Sequence, residues 1–311
     1  MRLMNLKWWL IALGVWCPLA LGFSQEIAAS VRRIVFLGDS ITYGGDYICD
    51  IEAYFVTRQP ERRLEFFNLG LPSETLSGLS EAGHAGGAFP RPDLHERLAR
   101  VLAQTKPDLV FACYGMNCGI YLPLEAERFQ KYKDGQAWLH EQVTKSGAKI
   151  VQVTPPLFDG QGKNDHYAAV LDRYSDWLLG QRAAASWEVA DLHGPMNRYQ
   201  VARRQQDPQF AFAGDGVHPN ELGHWVMARA ILTALGAKDV AQVESAKAMV
   251  SVHPHGEQLL KLIQQRQAIM KDAWLTATGH QRPGMSKGLP LPEAEAKAAE
   301  LDRKIRELAK P

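Results

Sequence analysis

Charge of one sign is what this chain most lacks. Its 35 Lys and Arg are offset by 34 Asp and Glu, a formal net charge of +1 at pH 7, and the two signs are mixed along the sequence rather than gathered in blocks. Such a surface offers no electrostatic footprint for nucleic acid or an anionic membrane, so no nucleic-acid partner is expected. Cysteine is scarce, with four residues in 311. No Gly-x-Ser-x-Gly elbow, Walker loop, dinucleotide fingerprint or zinc-ligand spacing occurs, so no cofactor and no metal are expected. His253 and His255 flank Pro254, but no ligand set at zinc spacing surrounds them. Internal repeats, low-complexity tracts and a long heptad array are likewise absent.

A long apolar run occurs only at the N-terminus, where Arg2 and Lys7 precede the stretch 8–23. It ends in Ala20-Leu21-Gly22, a small-residue cleavage pattern, and residues 1–23 read as a secretory signal peptide. The mature protein is then expected outside the cell or in a periplasm, without a stable membrane anchor. An uncleaved anchor is the alternative, against which stands a run shorter than the ~20 residues that comfortably span a bilayer. Cys17 follows bulky Trp16, a poor fit to lipoprotein processing. Past the signal remain Cys49, Cys113 and Cys118, so at most one intramolecular disulfide can form. Cys113 sits in an apolar strand pattern, which leaves Cys49 and Cys118 as the pair to test.

The chain as a whole is 46% apolar and 22% charged, an ordinary globular composition. Five β-rich runs, 33–37, 64–69, 109–114, 149–154 and 187–192, alternate with helical spacing at 46–57, 91–103, 124–146, 165–182 and 220–235. This alternation predicts βαβ units and a three-layer α/β/α sandwich around a five-stranded parallel sheet, flavodoxin-like. Beyond 235 the alternation stops, and helices at 257–278 and 291–308 are separated by a polar turn. The resulting division is a signal peptide at 1–23, an α/β domain at 24–236 and a helical C-terminal extension at 237–311.

Two short motifs carry chemistry. Gly38-Asp39-Ser40 leaves the first strand, and Asp215-Gly216-Val217-His218 stands just before the last helix of the α/β unit. A serine hydroxyl is a poor nucleophile unless an imidazole takes its proton and a carboxylate fixes the imidazole tautomer. An Asp three residues before a His can turn back to hold Nδ1–H and leave Nε2 for the serine. In an open parallel sheet, ligands bind beyond the carboxyl ends of the strands. There the first three strand exits, Ser40, Asn68-Leu69-Gly70 and Gly115-Met116-Asn117, converge.

These blocks, Phe36-Leu37-Gly38-Asp39-Ser40, Asn68-Leu69-Gly70, Gly115-Met116-Asn117 and Asp215-Gly216-Val217-His218-Pro219, resemble in order those of the SGNH, or GDSL-type, hydrolase superfamily over residues 31–235. The resemblance implies Ser40 as nucleophile, His218 as general base and then acid, and Asp215 as its orienter. It also implies an oxyanion hole from the Ser40 and Gly70 N–H groups and the Asn117 amide. One departure is Cys118, where the family's third block usually continues with Asp; a Cys118 nucleophile is the weaker alternative because no separate base accompanies it.

Asp39, His84 and Arg282 are further candidates for substrate binding. His84 lies in a Gly-rich stretch that either lines the cleft or is a solvated loop. The segment 280–288 is either a turn between two helices or a loop reaching over the pocket with Arg282. Trp138, Trp177 and Trp187 are candidates for stacking on sugars or for the core. Together these features predict a secreted serine esterase removing a short acyl group, acetyl above all, from a small molecule or polysaccharide. A lysophospholipase or thioesterase, or a silent carbohydrate-binding module, is the alternative.

Overall fold

The computed structural model describes residues 27–310 apart from 161 and 163; the expected signal peptide at 1–23 lies outside the described residues. Five parallel strands, β1 (Arg33–Gly38), β2 (Glu65–Asn68), β3 (Leu109–Cys113), β4 (Lys149–Val153) and β5 (Glu188–Ala190), form one sheet in the order β2-β1-β3-β4-β5. This is the doubly wound flavodoxin-like order, with its switch point between β1 and β3. The register pairs Phe36 with Phe111 and Gly38 with Cys113. Strands β1 and β3 are apolar almost throughout because helices cover both faces of the sheet. Phe36 stacks on Phe111 at 5.1 Å and on Phe66 at 6.1 Å, tying the three strands that end at the site.

The helices are α1 (Ser40–Gly44), α2 (Asp46–Arg58), α3 (Leu98–Thr105), α4 (Ala126–Lys145), α5 (His166–Ala184), α6 (His193–Arg204), α7 (Glu221–Ala234), α8 (Ala246–Val250), α9 (Gly256–Thr278) and α10 (Leu291–Leu308). Their ends follow the sequence. Asn220 caps α7 by accepting from Gly223 N, and Glu125 caps α4 by accepting from the N–H groups of 127 and 128. The helix expected at 91–103 begins only at Leu98, since Pro90 and Pro92 bracket Arg91 and hold that stretch extended. Helix α6 was not expected: Gly194 and Pro195 in its first turn give it the look of a loop, although proline is tolerated there.

The C-terminal helices are fused to the sheet edge. Trp274 of α9 packs edge-on against Phe67 of β2 at 5.1 Å, and Gln267 donates to the Phe66 carbonyl (3.2 Å) and to Glu52 Oε2 of α2 (2.8 Å). Arg266 pairs with Glu52 and, at 2.5 Å, with Asp302 of α10, linking three helices. An edge strand left open would be a template for aggregation, and α9 covers it. Among the described residues no helix is long and apolar enough to cross a membrane.

The Cys49–Cys118 pairing does not form. Both thiols, and that of Cys113, are free and buried. Cys49 sits in α2 near Asp46, Asp50 and Glu52, whereas Cys118 faces Tyr132, Tyr167 and Tyr174 of α4 and α5.

Candidate active site

Strand β1 ends at Gly38, where the chain must turn tightly: a Cβ there would fall 2.1 Å from Thr42 Oγ1 and 2.8 Å from the Cys113 carbonyl. Asp39 accepts from Ile41 N (2.9 Å) and starts α1, so Ser40 occupies the first turn with its N–H among the donors a helix N-terminus leaves unbonded. Gly45, at φ 81°, then breaks the chain into α2.

His218 arrives from the loop before α7. Its Nε2 is 2.8 Å from Ser40 Oγ and its Nδ1 2.6 Å from Asp215 Oδ2. The other Asp215 oxygen accepts from the N–H groups of Val217 (2.9 Å) and His218 (2.8 Å). Partial burial works against the Asp215 charge, but the His218 ring and these two N–H groups win and hold its carboxyl down at about 2. The loop is pinned from below: Asp159, buried after β4, donates its N–H to the Gly216 carbonyl (2.8 Å) and binds Arg204 (2.6 Å) and Phe212 N. With Asp215 charged, Nδ1 keeps the proton and Nε2 presents a lone pair to Ser40, the arrangement that general-base activation of a hydroxyl needs.

Asn117 follows β3 and is 4% exposed. Its Oδ1 accepts from Arg91 Nη1 (2.9 Å) and from Tyr121 O–H (3.1 Å), which fixes the amide flip and leaves Nδ2 with one long contact to the Glu74 carbonyl (3.4 Å). The helical spacing at 91–103 hides Arg91 as a partner of Asn117, although its place between two prolines signals an extended stretch. It is itself held by a bidentate pair to Glu81 (2.6 and 2.7 Å). Below lies a second, fully buried group. Glu74 takes Arg97 through Nε and Nη2 (2.6 and 2.7 Å) and Tyr114 O–H (2.6 Å), while Arg97 also holds the Leu69 carbonyl (2.7 Å). The loops carrying Gly70 and Asn117 therefore share one anchor.

Gly70 departs from expectation in one respect: its N–H is taken by Asn68 Oδ1 at 3.0 Å. Glycine is nonetheless required, because a Cβ would lie 2.3 Å from Tyr43 N. Asp39 is corrected from a substrate contact to a buried cap, 3% exposed, with burial pushing its carboxyl up to about 6. Cys118 is fully buried, and burial raises its thiol to about 12, so it supplies no thiolate. Trp138 stacks on His95, and Trp177 meets Trp187 edge-on, so these rings serve packing. His253 Nδ1 accepts from His255 N within its own turn, and among the described residues no cluster could hold a metal ion.

His84 and Arg282 come together. Both lie against Phe89, His84 edge-on at 5.4 Å and Arg282 with its guanidinium 5.3 Å from the ring centre. The segment 280–288 is thus a turn between α9 and α10 that sets Arg282 against Phe89. The side chains of His218 and Asp215 are 53% and 54% exposed, so the cleft is open rather than a tunnel. A cavity of about 1080 Å³ lined by Arg33, Glu65, Trp274 and Arg306 lies at the opposite, amino-terminal end of β1 and β2.

The sequence model of the GDSL-like lipase/acylhydrolase family matches residues 36–226. A search of curated protein sequences found no match. Among solved structures, the chain is similar to BT4096, a gut microbial diltiazem-metabolizing enzyme, at 22% identity and TM-score 0.56, covering 69% of this chain and 49% of that one. This chain thus spans about half the length of that enzyme. It is also similar to LAE5, an alpha/beta hydrolase enzyme from the metagenome of Lake Arreo, Spain (26%, TM-score 0.54, 68% and 97% of the two chains). A catalytic mutant of Axe2, an acetylxylan esterase from Geobacillus stearothermophilus, matches at 21% and TM-score 0.54 over 68% and 97%. At these identities BT4096 and Axe2 establish the shared fold.

Proposed function

The chain belongs to the GDSL-like lipase/acylhydrolase family and is a carboxylic ester hydrolase; from that premise we propose that it is a secreted serine esterase that removes short acyl groups, acetyl above all, from carbohydrate. The observation that carries this is the continuous hydrogen-bond line from Ser40 Oγ through His218 to Asp215. Ser40 Oγ attacks the ester carbonyl as His218 Nε2 takes its proton, and Asp215 stabilises the imidazolium. His218 then protonates the departing alcohol, leaving an acyl-Ser40, and water repeats the sequence to release the acid.

The tetrahedral oxyanion would be met by Ser40 N–H and Asn117 Nδ2, the latter polarised through its Oδ1 by Arg91. Gly70 N–H joins only if it exchanges Asn68 for the oxyanion, so its donation would develop as the charge does. Each such donor is worth roughly 10²–10³ in rate. Support for a bulky alcohol comes from the exposure of His218 and Asp215, which leaves room for a polymer-borne ester. The likeness to an acetylxylan esterase agrees with this, and the N-terminal run supports export.

The test is hydrolysis of 4-nitrophenyl acetate, butyrate and octanoate by the mature protein and by Ser40→Ala. Acetate preference, lost by about 10³-fold or more in kcat in the variant, is expected. A preference for octanoate would replace carbohydrate by lipid as the substrate class, and equal rates for the two proteins would refute Ser40 as nucleophile.

A further inference from the structure

Arg282 is a cation without a counterion. Among the described residues it forms no ion pair; its only hydrogen bond runs from Nη1 to the carbonyl of its own neighbour Pro283 (3.0 Å). Nε is shielded from solvent with no partner, and Nη2 makes no hydrogen bond to protein. The acidic groups around it are already committed: Glu81 to Arg91, Asp272 to the Tyr43 hydroxyl (2.9 Å), Glu96 to Arg100 (2.6 Å). Partial burial pulls the Arg282 guanidinium below its ordinary range, with only Tyr43 acting against it. Shielded polar groups normally find partners, and the Arg282 Nε has none.

The place of this arginine supplies one. Tyr43 stands one turn after Ser40 on the same side of α1, and three groups of the C-terminal extension surround it. Lys271 sits over its ring at 3.9 Å and donates to its carbonyl (3.0 Å), Asp272 holds its hydroxyl, and Arg282 acts on it electrostatically. Beyond Arg282 come Phe89 and His84, then Glu81, Arg91 and Asn117. The contacts thus run from the Ser40 helix around the mouth to the Asn117 amide, with Arg282 as the unpaired member.

His84 lies edge-on to the same Phe89 ring. Its Nδ1 faces Glu81 Oε1 at 3.6 Å, and its Nε2 is buried without a partner. A proton kept on Nδ1 by that carboxylate leaves Nε2 an acceptor turned into the protein. Burial, with Arg91 close by, holds the ring's pKa below the ordinary histidine value, so it is neutral at pH 7.

We propose that Arg282, seated on Phe89 with His84 at the ring edge, forms a subsite beside Ser40 for a sugar acid, with the Arg282 Nη groups taking the carboxylate. The inference rests on the esterase reading of Ser40 and adds a substrate class to it: acyl esters of acidic sugars. A planar guanidinium matches a carboxylate bidentately, and the Phe89 face beneath it fixes its plane.

The experiment compares acetylated methyl glucuronoside with acetylated methyl glucoside, which differ at the carboxylate. The wild type is expected to favour the acidic ester at least 10-fold in kcat/KM, Arg282→Gln to bring that ratio near one, and Arg282→Lys to keep part of it. A wild-type ratio at or below one, or a ratio unchanged in Arg282→Gln, would overturn the proposal. Calorimetric binding of glucuronate to Ser40→Ala, abolished in the Ser40→Ala/Arg282→Gln double variant, separates the two claims. If Ser40→Ala hydrolyses both esters like wild type, the nucleophile assignment falls while the glucuronate measurement still decides the subsite; retained binding in the double variant would overturn the subsite alone.

Discussion

Replacing Asp39 by Asn tests the electrostatics of the strand exit, because the two side chains are nearly isosteric and both cap helices well. Asp39 is 3% exposed and its carboxylate accepts a single hydrogen bond, from Ile41 N. Burial is the dominant influence and opposes the charge; the Ile41 N–H, His218 and Arg91 offset it in part, and Glu74 adds to it. The result is a carboxyl raised from 3.8 to about 6. In the unfolded chain the group loses its proton near 3.8 and in the folded chain near 6, so between these values the native state holds the extra proton. Stability contributed by Asp39 is therefore full below pH 3.8 and is lost as pH rises to 6, at about 1.4 kcal/mol per pH unit and about 3 kcal/mol in total. Asp39→Asn cannot titrate. Urea unfolding of both proteins from pH 4 to pH 8 should show the variant gaining on wild type by about 2 kcal/mol up to pH 6, then levelling towards a parallel course. Curves parallel throughout, or a variant that loses ground as pH rises, would refute the assignment of a raised carboxyl.

Four further outcomes follow from the same contacts. Arg91→Met removes the donor that sets the Asn117 amide, and kcat for 4-nitrophenyl acetate should fall roughly 10–10²-fold with little change in KM, Arg91→Lys recovering part; an equal loss through KM would argue for a substrate contact instead. Gly70→Ala places a Cβ 2.3 Å from Tyr43 N, so α1 and Ser40 must move, and kcat should drop together with about 1–3 kcal/mol of stability in thermal unfolding. Arg97→Leu strands Glu74 in the core and should cost about 3–5 kcal/mol, read by urea unfolding; a near-neutral variant would show that Tyr114 alone satisfies that carboxylate. Truncation after Leu235 strips α9 from β2 and uncovers Phe66 and Phe67, and the product should lose near-ultraviolet circular dichroism and cooperative unfolding; a cooperative two-state transition would show that the α/β unit stands alone.

Much of the fold was legible because its signals are local. Apolar runs bounded by glycine and proline marked all five strands to within a few residues, and alternation with helical spacing implied the parallel order. The Ser40, His218 and Asp215 geometry was legible for the same reason: the Asp-x-x-His spacing places both groups on one loop, and the strand exit places the serine. The errors arose where a local signal pointed the wrong way. Gly194-Pro195 disguised α6, a helical pattern swept Arg91 into a helix that starts seven residues later, and Gly38-Asp39-Ser40 does not announce that its aspartate turns inward.

What the sequence left open is everything that depends on long-range contact. The two readings of segment 280–288, a turn or a loop over the pocket, could not be separated by composition, because each needs glycine, proline and a cation. Packing separates them: Trp274 on Phe67 and Gln267 on the Phe66 carbonyl fix where α9 ends, and that end point sets Asp272 on the Tyr43 hydroxyl and Arg282 on Phe89. The helix that seals the edge of β2 thus also holds Tyr43, one turn from Ser40. Stability and recognition are consequently coupled in this chain. A substitution that loosens α9 at Trp274 should displace Arg282 without touching Ser40 or His218, so selectivity among esters should be lost before hydrolysis itself.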